Sequence, residues 1–274
     1  MYAGLEQALT HAKSLGLRTT VTTNGFFTTE HKLNRMRGLV DVLAISLDGP
    51  AELHNRIRGS ERAFDRLQEG LEKVRASEIP FGIIHTLTQD SWEHLLWVAD
   101  FAASNQASLL QIHPLESVGR ANERMRTENA DDDVMSRVYV LAFAVANKYR
   151  ETMRVQLDLL YRDHLRDEPE LIYAGKAPEH MEQRLAPELH GLLVMEPDGT
   201  LVPVSYGFSR NFRLCNVREQ KLSEAWPNYL ANRYSAFKSL CQSVWEEMAS
   251  SNAPLLGNWH EIIVARSHSF AGSS

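Results

Sequence analysis

Cysteine is close to absent: the 274-residue chain has two, Cys215 and Cys241, and none earlier. Neither forms a Cys-x-x-Cys pair, so by themselves they make no zinc or iron–sulfur site, and no metal ligand is assigned. They read as free thiols of a reducing compartment. No apolar run approaches the roughly 18 residues that span a bilayer, and the first residues lack a basic segment followed by an apolar one. No membrane partner is therefore expected, and the cytoplasm is the default location. Positive charge is not in excess either, with 29 Lys and Arg against 35 Asp and Glu and a net charge of -6. That balance argues against a nucleic-acid partner, which needs clustered cations. A Ser-His-Asp order, a phosphate-cradling glycine loop and a His-x-x-x-His spacing are also missing, which leaves a hydrolase, a kinase or a zinc enzyme without support.

What is present is 43% hydrophobic and 23% charged, enough for a core of one domain or one and a half. Leu5, Ala8, Leu9, Ala12 and Leu15 form a helical stripe that stops at Gly16, and Arg18 to Thr23 is β-branched and strand-like. The alternation then repeats: a helix from His31 to Gly38, a strand from Val42 to Leu47, a helix from Glu61 to Ala76, a strand from Phe81 to Leu87, a helix from Ser91 to about Ser104, and a strand from Leu109 to His113. Such alternation predicts a parallel sheet with right-handed crossovers. A long helix from Asp131 to about Thr152 opens on three aspartates, which suit a helix start better than a metal site. Arg154 to Tyr161 reads as another strand. Beyond Asp167 the prolines 169, 178 and 187 mark a connection. The expected units are residues 1–167 and 168–274. The second begins with a hairpin, Leu192 to Met195 and Leu201 to Val204 around Pro197-Asp198-Gly199, followed by helices at Leu222–Trp226 and Tyr229–Met248.

The strand-end loops carry the functional signal, because ligands of β/α chains are held there. Thr22-Thr23-Asn24-Gly25 follows the first strand, and Ser46-Leu47-Asp48-Gly49-Pro50 follows the second. His54-Asn55-x-x-Arg58-Gly59 comes next, with Phe64 beginning a helix. Further along stand Pro114-Leu115-Glu116-Ser117-Val118-Gly119-Arg120-Ala121, the Glu196-Pro197-Asp198-Gly199 hairpin, and Leu214-Cys215-Asn216-Val217 before Leu222-Ser223-Glu224-Ala225-Trp226. In this order the motifs resemble the radical S-adenosylmethionine (radical SAM) enzymes, specifically the branch with a SPASM or twitch C-terminal extension. The resemblance covers about residues 15 to 226.

The resemblance implies an α/β fold, a partial (β/α) TIM-like barrel missing its first two strands, followed by a small α+β SPASM-like extension. It implies S-adenosylmethionine and a 4Fe-4S cluster as the family's cofactors, and a peptide or small molecule as substrate. It assigns cofactor contacts to Asn24, Gly25, Ser46, Asp48 and Arg58, with Arg58 pairing with the cofactor's carboxylate, and places the adenine pocket near Gln111 to Pro114, including His113. His85, Thr88 and Glu116 also end strands. Without a resemblance, Asn24-Gly25 reads equally as a turn with positive φ, and Asp48-Gly49-Pro50 as an Asx turn. Relatives carry a Cys-x-x-x-Cys-x-x-Cys loop and a Gly-Gly-Glu-Pro loop upstream of the helix in which this sequence begins. Their Pro-Cys after the hairpin is Pro203-Val204 here, and Cys215 stands at a glycine position. The expectation is therefore a truncated chain that holds no cluster and lacks activity by itself, with an open sheet edge at Arg18 to Thr23 available for chain pairing. The rival expectations are a cluster-free scaffold binding a peptide or partner protein, and an unrelated cluster-free barrel enzyme.

Overall fold

A computed structural model describes residues 4–26, 29–116, 129–184 and 186–270. They fall into two compact units, the first made of residues up to 115 and 129–158 and the second of Glu116 and the residues from 159 onward.

The first unit is built from β/α repeats. In order they are α1 (Leu5–Ser14), β1 (Thr20–Thr23), α2 (Glu30–Met36), β2 (Val42–Ser46), α3 (Ala51–Arg58), α4 (Ala63–Ala76), β3 (Phe81–Leu87), a 3-10 turn (Ser91–His94), α5 (Leu95–Ser104), β4 (Leu109–Pro114), α6 (Asp132–Lys148) and β5 (Arg154–Leu157). The five strands pair in parallel in chain order, β1-β2-β3-β4-β5, as the alternation predicts.

The pleat sends alternate residues to opposite faces. One face carries Leu43, Ile45, Phe81, Ile83, Leu87, Leu110 and Ile112, all buried in one cluster with Leu33, Leu67, Val74, Val98 and Val138 of the helices. The register fixes the composition of the other face: Thr22, Ala44 and Gly82 lie in one row, Ser46, Ile84, Gln111 and Gln156 in the next, then Thr86 and His113. None of these residues belongs to the apolar cluster. A doubly wound sheet buries both faces under helices, whereas the inside of a barrel carries side chains on one. The unit is thus a partial (β/α) barrel. Gly82 has a packing reason on the inner face, since a Cβ there would meet Leu109 Cβ at 2.9 Å.

Local chemistry explains several boundaries. Asp131 caps α6 by accepting from Val134 N at 2.8 Å, so the first of the three aspartates is a helix cap. Residues 51–58, read in sequence as a loop, are helical: Pro50 leads in and Gly59, at φ 61°, closes α3 in the left-handed conformation. Trp92 packs partly buried against the core, while Trp97 is 36% exposed and stacked on Phe101 with 5.1 Å between centroids.

The strand expected over Arg154 to Tyr161 is two strands in two units. β5 ends at Leu157, and β6 (Leu160–Tyr161) pairs antiparallel with β10 (Leu256–Gly257). The second unit continues with α7 (Arg162–Asp167), α8 (Ala186–His190), the hairpin β7 (Leu193–Met195) and β8 (Thr200–Pro203), and a third strand β9 (Cys215–Asn216) against β8. Thr200 N donates to Asp198 Oδ1 at 3.0 Å, closing the expected turn. The buried Glu196 accepts from Gly207 N and pairs with Arg210, anchoring the hairpin's base. Helices α9 (Leu222–Asn232), α10 (Tyr234–Met248) and α11 (Trp259–Ser269) complete the unit around Phe237, Cys241, Val244 and Ile263. The break expected at Pro227 occurs instead at Arg233: burial of Ala225 and Tyr229 keeps α9 continuous although Pro227 donates no hydrogen bond. Trp259 is buried and packs in this unit's apolar core.

Candidate functional site

The C-terminal ends of the parallel strands bring the predicted residues to one rim. After β1, Asn24 is exposed and its Oδ1 accepts from Phe26 N at 3.2 Å, an Asx turn. Gly25 follows at φ 77°, a conformation that favours glycine, and its own N–H donates to Thr23 Oγ1 at 3.2 Å. Ser46 ends β2, half-buried on the inner face.

Asp48 and Arg58 meet each other. Arg58 Nε donates to Asp48 Oδ2 at 2.6 Å and Nη2 to Oδ1 at 3.0 Å, a bidentate pair. His54 Nδ1 lies 2.9 Å from Oδ2 and 3.3 Å from the Asp48 main-chain nitrogen. The shorter contact, to an ionised oxygen, assigns the Nδ1 proton to a bond with the carboxylate. Burial opposes ionisation of Asp48, but the His54 hydrogen bond and the Arg58 charge outweigh it and hold the carboxyl below its ordinary value. His85 is fully buried, its Nδ1 donates to Leu47 O at 3.1 Å, and burial pushes its protonation down. Thr88 and Ser91 are buried too, each main-chain N–H bonded to the other's hydroxyl.

A second constellation lies on the inner face across β4 and β5. Asp158 Oδ2 accepts from Gln111 Nε2 at 2.6 Å and from His113 Nδ1 at 2.9 Å, and Oδ1 accepts from Gln156 Nε2 at 2.8 Å. Burial works against the ionised form, yet these donors keep Asp158 below the usual carboxylate range. Sequence reasoning placed Gln111 and His113 in the site but passed over Gln156 and Asp158. The signal was Gln156-Leu157-Asp158 itself, two polar residues one apart at a strand's end. The motif at residues 117–121 lies outside the described residues.

The donor set separates the two expected cofactors. An iron–sulfur cluster needs several thiolates. Cys215 and Cys241, the sequence's whole complement, are both buried in the second unit, and burial raises both thiols, Cys241 to about 12. Val204, at the position where the resemblance implies a cysteine in the family, is buried in the apolar core at φ 67°. Among the described residues no three His, Cys, Asp or Glu side chains gather to hold a metal. These residues do not fit a cluster. The inner face carries the Ser46 hydroxyl and, across β4 and β5, the His113 ring and the Gln111 and Gln156 amides hydrogen-bonded to the Asp158 carboxylate.

The radical SAM superfamily model matches residues 1–102. The AdoMet-dependent heme synthase of Methanosarcina barkeri is 31% identical over 118 residues, 42% of this chain and 34% of that protein. The chain thus spans about a third of that relative's length. The solved structure of native anSMEcpe with bound AdoMet aligns over 93% of this chain and 72% of its own at 16% identity and TM-score 0.55. Streptococcus suis SuiB bound to precursor peptide SuiA aligns over 87% of this chain and 53% of its own at 15% identity and TM-score 0.62. The first repeats, residues 1–102, thus match the radical SAM superfamily model, and the parallel half-barrel shares its fold with these two structures.

Proposed function

We propose that the inner rim of the first unit is an S-adenosylmethionine-binding surface, serving radical chemistry on a peptide or small molecule. The carrying observation is the two-faced sheet, with apolar residues of one face in the helix-covered core and Ser46, Gln111, His113, Gln156 and Asp158 on the other. S-adenosylmethionine supplies a sulfonium whose reductive cleavage gives a deoxyadenosyl radical in this family. This chain's residues bind and orient: Ser46 offers a hydroxyl to the ribose or methionyl part, and His113, oriented by Asp158, faces the adenine end. Asn24 and Gly25 border the rim. The chain's two cysteines do not hold the cluster that cleavage requires, so on this reading the chain by itself binds the cofactor without cleaving it. A peptide substrate is supported by the SuiB structure, which holds its precursor peptide, and by a Bacillus subtilis relative named a sporulation killing factor maturation protein, and a small molecule by the relatives named heme synthase.

Calorimetric titration with S-adenosylmethionine tests the reading. Saturable binding weakened by Ser46→Ala is expected. A flat titration with the folded chain overturns it in favour of a cluster-free scaffold.

A further inference from the structure

We infer that Arg58 and His54 are positioning residues for the Ser46 loop, acting through Asp48, and that Arg58 does not contact the ligand. This rests on the reading of the strand ends as a binding rim and names what holds that rim in place. The expected role of Arg58 was to grip a ligand carboxylate. Its Nε and Nη2 are already occupied by the two oxygens of Asp48, whose side chain is 3% exposed against 27% for Arg58. A ligand carboxylate taking over that edge leaves the buried Asp48 charge without its guanidinium, and an uncompensated buried charge is strongly unfavourable. The Nε–Nη2 edge, the fork suited to a carboxylate, is therefore filled without a ligand.

The loop from Ser46 to Pro50 is held from three directions. Asp48 is tied to two side chains one helical turn apart on α3, since His54 and Arg58 are four residues apart. Leu47 is fixed through both main-chain groups: its N–H donates to Ile84 O at 2.9 Å and its carbonyl accepts from His85. Asn55 extends the hold to the next helix, its Oδ1 accepting from Phe64 N at 2.9 Å and its Nδ2 donating to Glu61 O at 2.7 Å. His54-Asn55-x-x-Arg58 is thus a brace, with its side chains spent on the neighbouring backbone and on Asp48. A rim fixed this way needs no ordering when a ligand arrives.

Hydrogen exchange of the unliganded chain is the test, read on amides 47–49 in wild type, Arg58→Ala, Asp48→Asn and the double variant. Each single variant is expected to speed exchange about tenfold or more, the double no further than either, because both break the same charge-assisted bidentate pair. Arg58→Lys, which keeps the charge and loses the fork, is expected to speed exchange as well, and serves if the alanine variant does not fold. Unchanged protection in the Arg58 variants, or additive effects in the double, overturns the inference. S-adenosylmethionine affinity is measured on the same proteins. Binding lost in Arg58→Ala and retained in Asp48→Asn also overturns it, as that pattern marks a direct contact. Absence of binding in wild type counts against the proposed function alone, since the exchange arm still decides the brace.

Discussion

His190 stands edge-on to Phe237 with 4.4 Å between ring centroids, and among the described residues neither imidazole nitrogen has a hydrogen-bond partner. Trp226, Tyr229 and Tyr234 enclose the same ring. Burial, helped by the Lys238 charge, pushes its pKa from 6.5 down to about 3.

Acid sensitivity of the second unit follows. The unfolded chain takes up a proton near 6.5 and the folded one only near 3, so stability falls as pH drops through that window. Between pH 7 and pH 5 the loss attributable to His190 is about 2 kcal/mol. Denaturation of wild type and His190→Phe at both values checks it; equal pH dependence in the two proteins refutes the assignment.

Both cysteines are expected to be inert in the folded chain. Burial holds each as the neutral thiol, and the thiolate is the reactive form. A disulfide reagent should titrate neither under native conditions and both after denaturation. Rapid native reaction counts against the burial described.

Neighbouring isoleucines on β3 should differ. Ile83 is fully buried in the apolar cluster, whereas Ile84 is half-buried on the inner face. Ile83→Ala is expected to cost about 2–5 kcal/mol and Ile84→Ala less than about 2 kcal/mol in chemical denaturation. Similar costs would contradict the two-faced sheet.

Asp158 fixes the His113 tautomer, because an ionised carboxylate accepts and Nδ1 must donate. Ring-nitrogen NMR should show a protonated Nδ1 in wild type and a mixture in Asp158→Ala. Since Asp158 is held below its ordinary pKa, its carboxylate remains an acceptor for the His113 Nδ1–H through neutral pH. An unchanged His113 spectrum in the variant removes the dyad.

The helix at Ala51–Arg58 shows why part of the site was hidden. Its apolar side is only Leu53 and Ile57, four residues apart in an eight-residue segment, too short a stripe to tell a helix from a loop, and only the partners of His54 and Arg58 make its inner side visible. The helix at Trp259–Ser269 was missed although Asn258, which accepts from Glu261 N at 3.4 Å, is a start signal readable from the spacing. Pro227 misled in the opposite direction: its local preference for a break yields to the packing of Tyr229.

What the sequence determined by itself is the β/α alternation, the parallel sheet, the Pro197-Asp198-Gly199 turn, and the strand-end positions of Asn24, Ser46, Asp48 and His113. These rest on periodicity and turn chemistry, which act between near neighbours in the chain. Only the tertiary structure decided that Asp48 is spent on Arg58, that β5 stops at Leu157, and that Asp158 gathers Gln111 and His113 from more than forty residues away. Those outcomes depend on strand order and register, which bring distant residues together and leave no trace in local pattern.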